Sequence, residues 1–468
     1  MDTGGSTIMP TVPAMGRFRH PARVLIAAFH AYPDPAVGAK RVSELANFLA
    51  DHGWQVKVVA AEGPSAIGGR QVHSTVERIG VPVPRPIYPR FQGLIPKRWR
   101  GSEGANASLA ADRFSESARR QAPHTRSHLV ETLRTEYFRY TDIIDNRKRW
   151  SLGLAMAMLR VTKRWRPDVA LVSGPEWSPV AVSTIVCALR HLPLVVDFRD
   201  PWLGRGGFTP PIYDGARRMV DSFLEARSVN RARVLTVSSG RLLGELKARY
   251  PERSGSIHLI RNGYDPAAWV DPAGPTGRLD LLHAGTVYFN RTPMPLLEGL
   301  LRFVGRPGID RHRVSVTMVG DCARWRGVDL AAWARDHGLD DILRIQPPVP
   351  ADRVRELTAS STVLVTFAQG QPAQVPAKLF EQIGANREIL LYTERDSESA
   401  DVAGGLPWVT VVDDDPFRSE EFLASAYERH VQMRGSLQID PACSATFARS
   451  SALEAFATLM DNIASRVE

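Results

Sequence analysis

The chain has 468 residues, 44% of them hydrophobic and 23% charged, and a formal net charge of +9. This length exceeds what one hydrophobic core supports, so we expect two or three domains of an ordinary soluble globular protein. Its three cysteines, Cys187, Cys322 and Cys443, are scattered along the chain. That pattern indicates neither a disulfide framework nor a zinc site, and it fits a reducing compartment.

No apolar run reaches the roughly 18–20 residues that a membrane-spanning helix needs. The longest, Pro179–Leu189, is predicted to be a buried helix, and the N-terminus lacks the basic and apolar regions of a signal peptide. Residues 1–20, rich in Gly, Ser, Thr and Pro, are predicted to be a disordered tail, and Met9 or Met15 could be the true start. We therefore expect a cytoplasmic protein.

Positive charge is concentrated in the first half of the chain. From Asp271 onward there are 20 basic and 27 acidic residues, whereas the part before it has 39 and 23. This asymmetry predicts an anionic partner for the first half. Nucleic acid is not favoured, because no helix-turn-helix, RNA-binding aromatic motif or zinc finger accompanies the charge. An anionic membrane surface fits better, and the alternative is ordinary solvated surface charge.

The first regular segment is predicted to be a βαβ unit. Arg23–Phe29 is a nearly continuous apolar run typical of a central strand, Lys40–His52 has apolar residues at helical spacing, and Gln55–Ala61 is a second strand. The first loop lacks the GxGxxG spacing of dinucleotide-binding proteins. Within it, Gly38 either lets the backbone approach a ligand or simply serves the turn, and the sequence leaves both open.

The stretch from Ser65 to about Arg147 is the least regular part of the chain. Within it, Val81–Gly101 mixes aromatic and aliphatic side chains with five cations. Such a mixture can seat a segment in the headgroup layer of a membrane, although its prolines argue against one continuous amphipathic helix. The alternative, an insertion loop packed on its own domain, stays open.

Alternating strands and helices complete the first half. The predicted segments are Lys148–Arg166, Asp168–Ser173, Pro179–Arg190, Leu194–Phe198, Gly215–Arg231, Val234–Ser238 and Gly240–Tyr250. The strand that ends at Phe198 runs directly into Arg199 and Asp200. Charged residues at the carboxyl end of a buried strand are typical of a site in an open α/β sheet. The alternative is a structural ion pair between Arg199 and an acid.

A linker rich in proline and glycine, Asp271–Gly277, separates this half from a second one. The predicted strands that follow are Leu279–Ala284, Val314–Gly320, Leu343–Gln346, Thr362–Phe367, Ile389–Tyr392 and Trp408–Val412. The predicted helices are Met294–Phe303, Leu330–His337, Pro350–Ser360, Lys378–Ile383, Ser419–Met433 and Thr446–Val467. We therefore predict domains at 21–270 and 278–440, with a closing helix at 441–468 that packs back on the first domain. Two doubly wound halves predict a cleft between the carboxyl ends of their sheets.

The segment Gln369–Leu391 contains the most informative pair of side chains. It follows a predicted strand, and its helix would begin near Pro376 with Lys378 in an exposed first turn. There Lys378 can hold a phosphate at the helix N-terminus, and Glu381 can accept hydrogen bonds from two ribose hydroxyls. The alternative is an ordinary surface Lys and Glu on an amphipathic helix.

Several segments, taken in order, resemble the two-domain nucleotide-sugar glycosyltransferases of the GT-B fold, specifically the large retaining family four. They are GAKRVSELANFLADHGWQVKVV, PDVALVSGPEWS, LPLVVDFRDPW, IRNGYD, LLHAGTVY, MVGD and VPAKLFEQIGANREIL. The resemblance covers roughly Arg23 to Leu390 and matches the insertion poorly. It implies an α/β protein of GT-B type, with two Rossmann-like doubly wound domains facing a central cleft and closing C-terminal helices.

The resemblance also implies a donor site on the second domain. Arg291 and Lys378 match basic positions that neutralise the diphosphate, and Glu381 matches the residue that grips the ribose. The cations would stabilise charge that grows on the departing phosphate, so no bound metal and no cofactor is expected. The residues that the resemblance places around the donor are Gly285, Thr286, Gly320, Pro347, Val349, Lys378, Leu379 and Glu381.

The first domain would hold the acceptor. The resemblance places Gly38, Arg41, Arg199 and Asp200 along this side of the cleft. In retaining members the leaving phosphate is thought to deprotonate the acceptor, so a dedicated base is not required. Among the expected catalytic residues, Asp200, Arg291, Lys378 and Glu381, Asp200 is therefore expected to contact the sugar or acceptor, and a role as base is the alternative. The expected acceptor is a glycan or a polyprenyl-linked lipid, on the cytoplasmic face of a membrane, in cell-envelope polysaccharide synthesis.

One position departs from the family pattern. Members often carry a second glutamate eight residues before the ribose-binding one, and Ala373 stands there in this chain. Two alternatives to a hexosyltransferase therefore stay open. One is a GT-B epimerase acting on the nucleotide sugar, for which no clear acid/base pair is visible. The other is a catalytically degenerate scaffold that binds a nucleotide without turnover.

Overall fold

The computed structural model describes residues 21–34, 36–63, 72–84, 144–203, 215–268, 276–287, 290–433, 439 and 441–465. The predicted tail at 1–20, most of the insertion at 65–147, including nearly all of Val81–Gly101, and most of the linker lie outside them. We call the α/β unit formed by residues 21–268 the first lobe, and the unit formed by residues 276–433 the second lobe.

The first lobe is built on a seven-stranded parallel sheet with the strand order β3-β2-β1-β4-β5-β6-β7. Its strands are β1 (Arg23–Ala27), β2 (Gln55–Ala61), β3 (Glu77–Val81), β4 (Val169–Gly174), β5 (Leu194–Phe198), β6 (Val234–Val237) and β7 (Ile257–Leu259). The order reverses between β1 and β4, and in open α/β sheets ligands bind at the carboxyl ends of strands near such a reversal.

Helices cover both faces of this sheet. They are α1 (Val37–Asp51), α2 (Lys148–Trp165), α3 (Trp177–Leu189), α4 (Gly215–Arg231) and α5 (Gly240–Arg249). The helices α2 to α5 share a core with one face of the sheet. The other face packs against α1, with Val24 and Ile26 of β1 at its centre. Because both faces are covered, the strands are continuous apolar runs.

The second lobe repeats the plan with six parallel strands in the order β10-β9-β8-β11-β12-β13. The strands are β8 (Leu279–Ala284), β9 (Val314–Val319), β10 (Leu343–Gln346), β11 (Val363–Phe367), β12 (Glu388–Tyr392) and β13 (Val409–Val412). Its helices are α6 (Met294–Val304), α7 (Leu330–Asp336), α8 (Ala351–Ser360), α9 (Ala377–Gly384), α10 (Glu398–Ala403) and α11 (Pro416–Tyr427). The reversal lies between β8 and β11, so this edge is the place to look for a ligand.

Two more helices, α12 (Pro441–Ala445) and α13 (Arg449–Ala464), follow the second lobe. Phe456 and Met460 of α13 join the core formed by α1 and the first sheet. The chain reaches that position by pairing with the first lobe, because Tyr264 and Ala448 form a parallel bridge. The last helix therefore packs on the first lobe.

The structure differs from the sequence-based elements in several places, of which three follow. The insertion, predicted to be irregular, contributes the edge strand β3, which the charged Glu77 and Arg78 hid from a search for apolar runs. A helix predicted as Thr446–Val467 begins instead at Arg449, after the separate short helix α12. The helix predicted from Ser419 begins at Pro416, capped by Asp415. Among the described helices, none is long and apolar enough to cross a bilayer.

Candidate functional site

The strongest feature of the site is the buried ammonium group of Lys378. This residue lies in the first turn of α9, where side chains lean back toward the helix N-terminus. Its Nζ is shielded from solvent, and no described residue accepts a hydrogen bond from it. The prediction that Lys378 lies exposed is therefore wrong. Its ammonium points into the protein at the carboxyl edge of the second sheet.

Two glycines make room for this ammonium. Gly285, directly after β8, has φ +154°, and a Cβ there would lie 3.0 Å from Lys378 Nζ. Gly320, directly after β9, has φ +125°, and a Cβ there would lie 2.1 Å from the carbonyl oxygen of Gly285. The two glycines therefore let these loops pack closely against each other and against the lysine side chain.

His283 and Cys322 lie near Lys378, and the sequence-based prediction named neither. The Nδ1 of His283 lies 3.0 Å from the carbonyl oxygen of Val365, so this nitrogen carries the proton. Burial, reinforced by Lys378, lowers the pKa of His283 well below its usual value, which keeps the ring neutral with Nε2 unprotonated. The Cys322 thiol donates to the Gly285 carbonyl at 3.0 Å, and burial raises its pKa to about 11. Neither side chain supplies a negative charge to Lys378.

A second cation lies close to the first. Arg291 is buried, and its Nη2 donates to Oε1 of Gln371 over 2.6 Å. Gln371 lies in the loop between β11 and α9 and is also buried. Burial, together with the positive charge of Arg291, lowers the pKa of Lys378 to about 7. Lys378 is thus buried beside a second cation and has no described hydrogen-bond acceptor, so an anion bound there would stabilise it.

One turn after Lys378, Glu381 lies between the two lobes. It accepts hydrogen bonds from Nζ of Lys40 at 2.5 Å and from Nη2 of Arg449 at 2.9 Å. Lys40 belongs to α1, and Arg449 is the first residue of α13. The pair with Lys40 is about one third exposed, so solvent screens it. The sequence-based prediction named Glu381 but neither of its partners.

The first-lobe residue Arg41 is held by structural contacts. Its guanidinium makes two hydrogen bonds to Asp197, of 3.0 and 2.9 Å, and a third to the carbonyl of Ile260. Asp197 also accepts from the hydroxyls of Ser173 and Thr236. Burial alone would raise the pKa of Asp197, but Arg41 and these hydroxyls hold it below its ordinary value. Arg41 thus neutralises a buried carboxylate, and an acceptor contact through it stays a prediction.

Arg199 connects the first turn of α1 with the end of β4 at the carboxyl edge of the first sheet. Its guanidinium donates to the carbonyl oxygens of Gly38 at 2.6 Å, Gly174 at 2.9 Å and Pro175 at 2.7 Å. A Cβ on Gly38 would lie 2.8 Å from Nη1 of Arg199. This packing on Arg199 is neither of the two roles left open for Gly38, ligand approach or turn formation, and the choice between those two stays open. Asp200, next along the chain, is half-buried at the carboxyl end of β5.

Comparisons with known proteins identify a domain in the first lobe and the fold of the whole chain. Residues 38–263 match the model of a glycosyl transferase 4-like domain. The chain carries a GT4-like glycosyltransferase domain. Its position in the chain, from the Gly38 loop to the residue before Tyr264, spans the acceptor-side residues described above. A search of curated proteins found no match.

Solved structures similar to the whole chain extend this GT4-like domain to a two-lobed fold. They include Anabaena HepE in complex with UDP (TM-score 0.55, 10% identity, 94% of this chain and 100% of that one). They also include the lipopolysaccharide outer core galactosyltransferase WaaB (0.55, 11%, 93% and 98%). A third is a UDP-forming trehalose-phosphate synthase from Burkholderia vietnamiensis (0.53, 13%, 94% and 100%). The fold is GT-B, as the sequence predicted.

The other residues that the family resemblance places around a donor have mixed environments. Thr286 is half-buried in the loop beside Gly285, while Pro347 is exposed and Val349 half-buried in the loop after β10. The side chain of Leu379 is fully buried in the core of the second lobe, and its N–H donates to the carbonyl of Pro376. Contact between Leu379 and a donor therefore cannot involve its side chain in this conformation.

A second contact between the GT-B lobes is centred on a buried carboxylate. Glu398, at the start of α10, accepts hydrogen bonds from the backbone N–H groups of Gly240 and Arg241, at 2.7 and 2.8 Å. It also pairs with Arg261 at 2.7 Å. A carboxylate of the second lobe thus caps helix α5 of the first. Beside it, Ala373, where the family often has a glutamate, accepts a hydrogen bond from the Ser239 hydroxyl through its carbonyl.

Proposed function

We propose that this protein transfers a sugar from a nucleoside diphosphate sugar to a glycan or lipid-linked acceptor, with retention of configuration. The observation that carries the proposal is the buried ammonium of Lys378, which has no hydrogen-bond acceptor among the described residues and lies near Arg291. It lies at the carboxyl edge of a doubly wound sheet, where such folds bind ligands. A diphosphate would supply the missing negative charge.

The two cations would act mainly on the transition state. As the bond between the sugar and the diphosphate breaks, negative charge grows on the leaving phosphate oxygens. Lys378 and Arg291 are already desolvated, so they stabilise that charge without reorganising. In this proposal they supply the positive charge that a divalent metal supplies in other phosphate-transferring enzymes.

The nucleoside would lie along α9 toward Glu381. Its ribose hydroxyls would replace Lys40 and Arg449 as hydrogen-bond donors to the carboxylate. The loop containing Pro347 and Val349 would pass the edge of the base. HepE was solved with UDP and a synthase of similar fold is UDP-forming, so UDP is the first nucleotide to test.

The acceptor would lie against the first lobe, between the Gly38 loop and Asp200. Arg199 would hold that loop in place through its three carbonyl contacts rather than bind the acceptor directly. In the proposed mechanism the departing phosphate takes the proton of the acceptor hydroxyl on the same face of the sugar. WaaB acts on lipopolysaccharide, which supports an envelope glycan or a lipid-linked sugar as the acceptor class.

Ligand-induced stabilisation would test the donor site. We expect UDP or one other nucleoside diphosphate to raise the melting temperature, because a ligand at 100 times its Kd adds about 2.7 kcal/mol. Glu381→Ala should abolish most of this shift, whereas Glu356→Ala, on the exposed face of α8, should not. Release of the nucleoside diphosphate from its sugar would then be assayed with acceptor present. If no nucleotide stabilises the protein, the donor site is wrong; binding without turnover would instead support the degenerate scaffold.

Donor binding should also depend on pH in a direction set by Lys378. The free protein loses the Lys378 proton as the pH rises through about 7, and the anion requires the protonated form. The Kd for UDP should therefore rise about tenfold per pH unit above that point. Calorimetric titration between pH 7 and 9 measures this, and Lys378→Met should flatten the profile. A wild-type Kd that does not vary over that range would contradict the assignment.

A further inference from the structure

Exposed apolar side chains are concentrated on three adjacent helices of the first lobe. Of the eleven large hydrophobic residues that are exposed in the described part of the chain, seven lie on α2, α3 and α4. They are Leu152, Met156, Ile185, Leu189, Met219, Val220 and Phe223. Leu152 is 68% exposed and Met219 74%. A cluster of this kind on a soluble domain indicates an interaction surface rather than scattered surface residues.

The apolar residues of α2 share one stripe with cations. Arg149, Leu152, Met156, Arg160 and Lys163 are all exposed and follow one another at spacings of three or four residues. Residues at these spacings lie on the same side of a helix. The inner side of α2, with Trp150, Leu154 and Met158, is fully buried against the sheet. The stripe therefore faces outward.

Helix α4 repeats the arrangement. Met219, Phe223 and Arg227 are exposed at a spacing of four residues, and Arg218 and Val220 flank them. Helix α3 lies between α2 and α4, packs against both, and adds Ile185, Leu189 and the adjacent Arg190. We call the outer side of α2, α3 and α4 the apolar–basic face.

This face has no exposed carboxylate. Helices α2 and α3 contain no Asp or Glu, and the two acids of α4, Asp221 and Glu225, are 0% exposed. A surface evolved only for solubility would mix both signs of charge. Here the cations have no exposed acidic neighbour on the same helices, so the face carries a positive potential over an apolar patch.

We propose that the apolar–basic face docks on an anionic lipid bilayer. Leucine, methionine and phenylalanine side chains enter the boundary between headgroups and acyl chains, while arginine and lysine reach the lipid phosphates. Nucleic acid would match the charge but would leave Leu152, Met219 and Phe223 in water. A globular protein partner would bring acids to meet the cations, but it would not require cations next to the exposed apolar residues of each helix.

Docking through this face places the cleft beside the membrane. In a parallel α/β unit the helices run opposite to the strands, so each begins at the carboxyl edge of the sheet. Met219, Val220 and Phe223 lie in the first half of α4, and Leu152 and Met156 in the first half of α2. That edge also holds Gly38 and Asp200. The docking proposal does not depend on the proposed sugar transfer.

Vesicle flotation with the full-length protein tests the proposal. We expect binding to vesicles of phosphatidylcholine with phosphatidylglycerol and little binding to phosphatidylcholine alone. The triple variant Leu152→Ser, Met219→Ser, Phe223→Ser should bind at least about tenfold more weakly, since each buried CH₂ contributes about 0.8 kcal/mol. The variant Arg160→Glu, Lys163→Glu, Arg227→Glu should lose at least about 100-fold, because each cation near an anionic surface contributes about 1 kcal/mol.

Matched controls keep the test specific. Phe417→Ser and Met433→Ser remove exposed apolar side chains of the second lobe, and Arg353→Glu reverses an exposed charge on α8. These variants should float like the wild type. All variants should keep the wild-type melting temperature, which shows that they are folded.

Three results would overturn the proposal. One is a wild-type protein that fails to float with anionic vesicles, as it would if another part of the chain covered the face. Another is a wild-type dimer in sedimentation equilibrium that the serine variant converts to monomer, which would assign the face to a second copy. The third is unchanged flotation of both triple variants, which would place any membrane contact elsewhere.

Discussion

Replacing Lys378 with methionine should abolish most sugar transfer while making the unliganded protein more stable. Loss of one preorganised donor to a developing anion lowers turnover by about 10²–10³-fold. At pH 6 the wild type buries an ammonium without a hydrogen-bond acceptor among the described residues, so removing it should add roughly 1–3 kcal/mol to the free energy of unfolding. Methionine keeps most of the volume of the lysine stem. Turnover assays and urea unfolding measure the two effects.

The stability gain should shrink as the pH rises. The pKa of Lys378 is lowered to about 7 in the folded protein, whereas an unfolded lysine titrates near 10.4. Between these values the unfolded chain binds more protons, so the wild type gains stability with increasing pH. The variant lacks this contribution. Lys247→Met, on the exposed side of α5, is the matched control and should change neither quantity. A Lys378→Met protein with wild-type turnover would remove Lys378 from the site.

Replacing Arg41 with methionine should destabilise the whole first lobe rather than weaken acceptor binding alone. The change leaves the buried Asp197 carboxylate without its cation, and breaking such a pair costs about 3–5 kcal/mol. Urea unfolding followed by tryptophan fluorescence measures the loss. The double variant Arg41→Met, Asp197→Leu should recover part of it, because neither charge is then left buried alone.

An exposed ion pair provides the control for Arg41. Arg241 and Asp401 are paired near the surface, and Arg241→Met should cost less than about 1 kcal/mol. If the Arg41 variant were as stable as the wild type and only its KM for the acceptor rose, the structural role would be refuted. The acceptor contact that the family resemblance implies would then be supported.

Sequence patterns located most elements because the sheets are buried on both faces. Leu194–Phe198 and Gly215–Arg231 have the predicted bounds, since an unbroken apolar run and a clear helical period leave little choice. Helix α3 begins two residues before the predicted Pro179. Its first N–H groups, of Trp177 and Ser178, are capped by Asp145, a distant residue that no local pattern could reveal.

The candidate site was predictable in part. Family motifs pointed to Lys378 and Glu381. The ammonium of Lys378 is covered by Gly285, which follows β8 and is distant in the sequence, so the burial of Lys378 was not visible in the sequence. His283 could have been found as a polar residue in the apolar run LDLLHA. Lys40 and Arg449 could not, because each meets Glu381 only after both lobes and the last helix have packed.

The contacts of Glu398 and of Glu381 between the lobes differ in how easily they can separate. Breaking the contacts of Glu398 would leave a buried carboxylate and two helix N–H groups without partners. The contact between Lys40 and Glu381 is about one third exposed, so solvent already screens it. Opening of the cleft should therefore be a rotation with its axis near Glu398, widest on the side of Glu381. In such a motion the end of the cleft at Glu381 opens first, and the contact between Ala373 and Ser239 of the first lobe is kept.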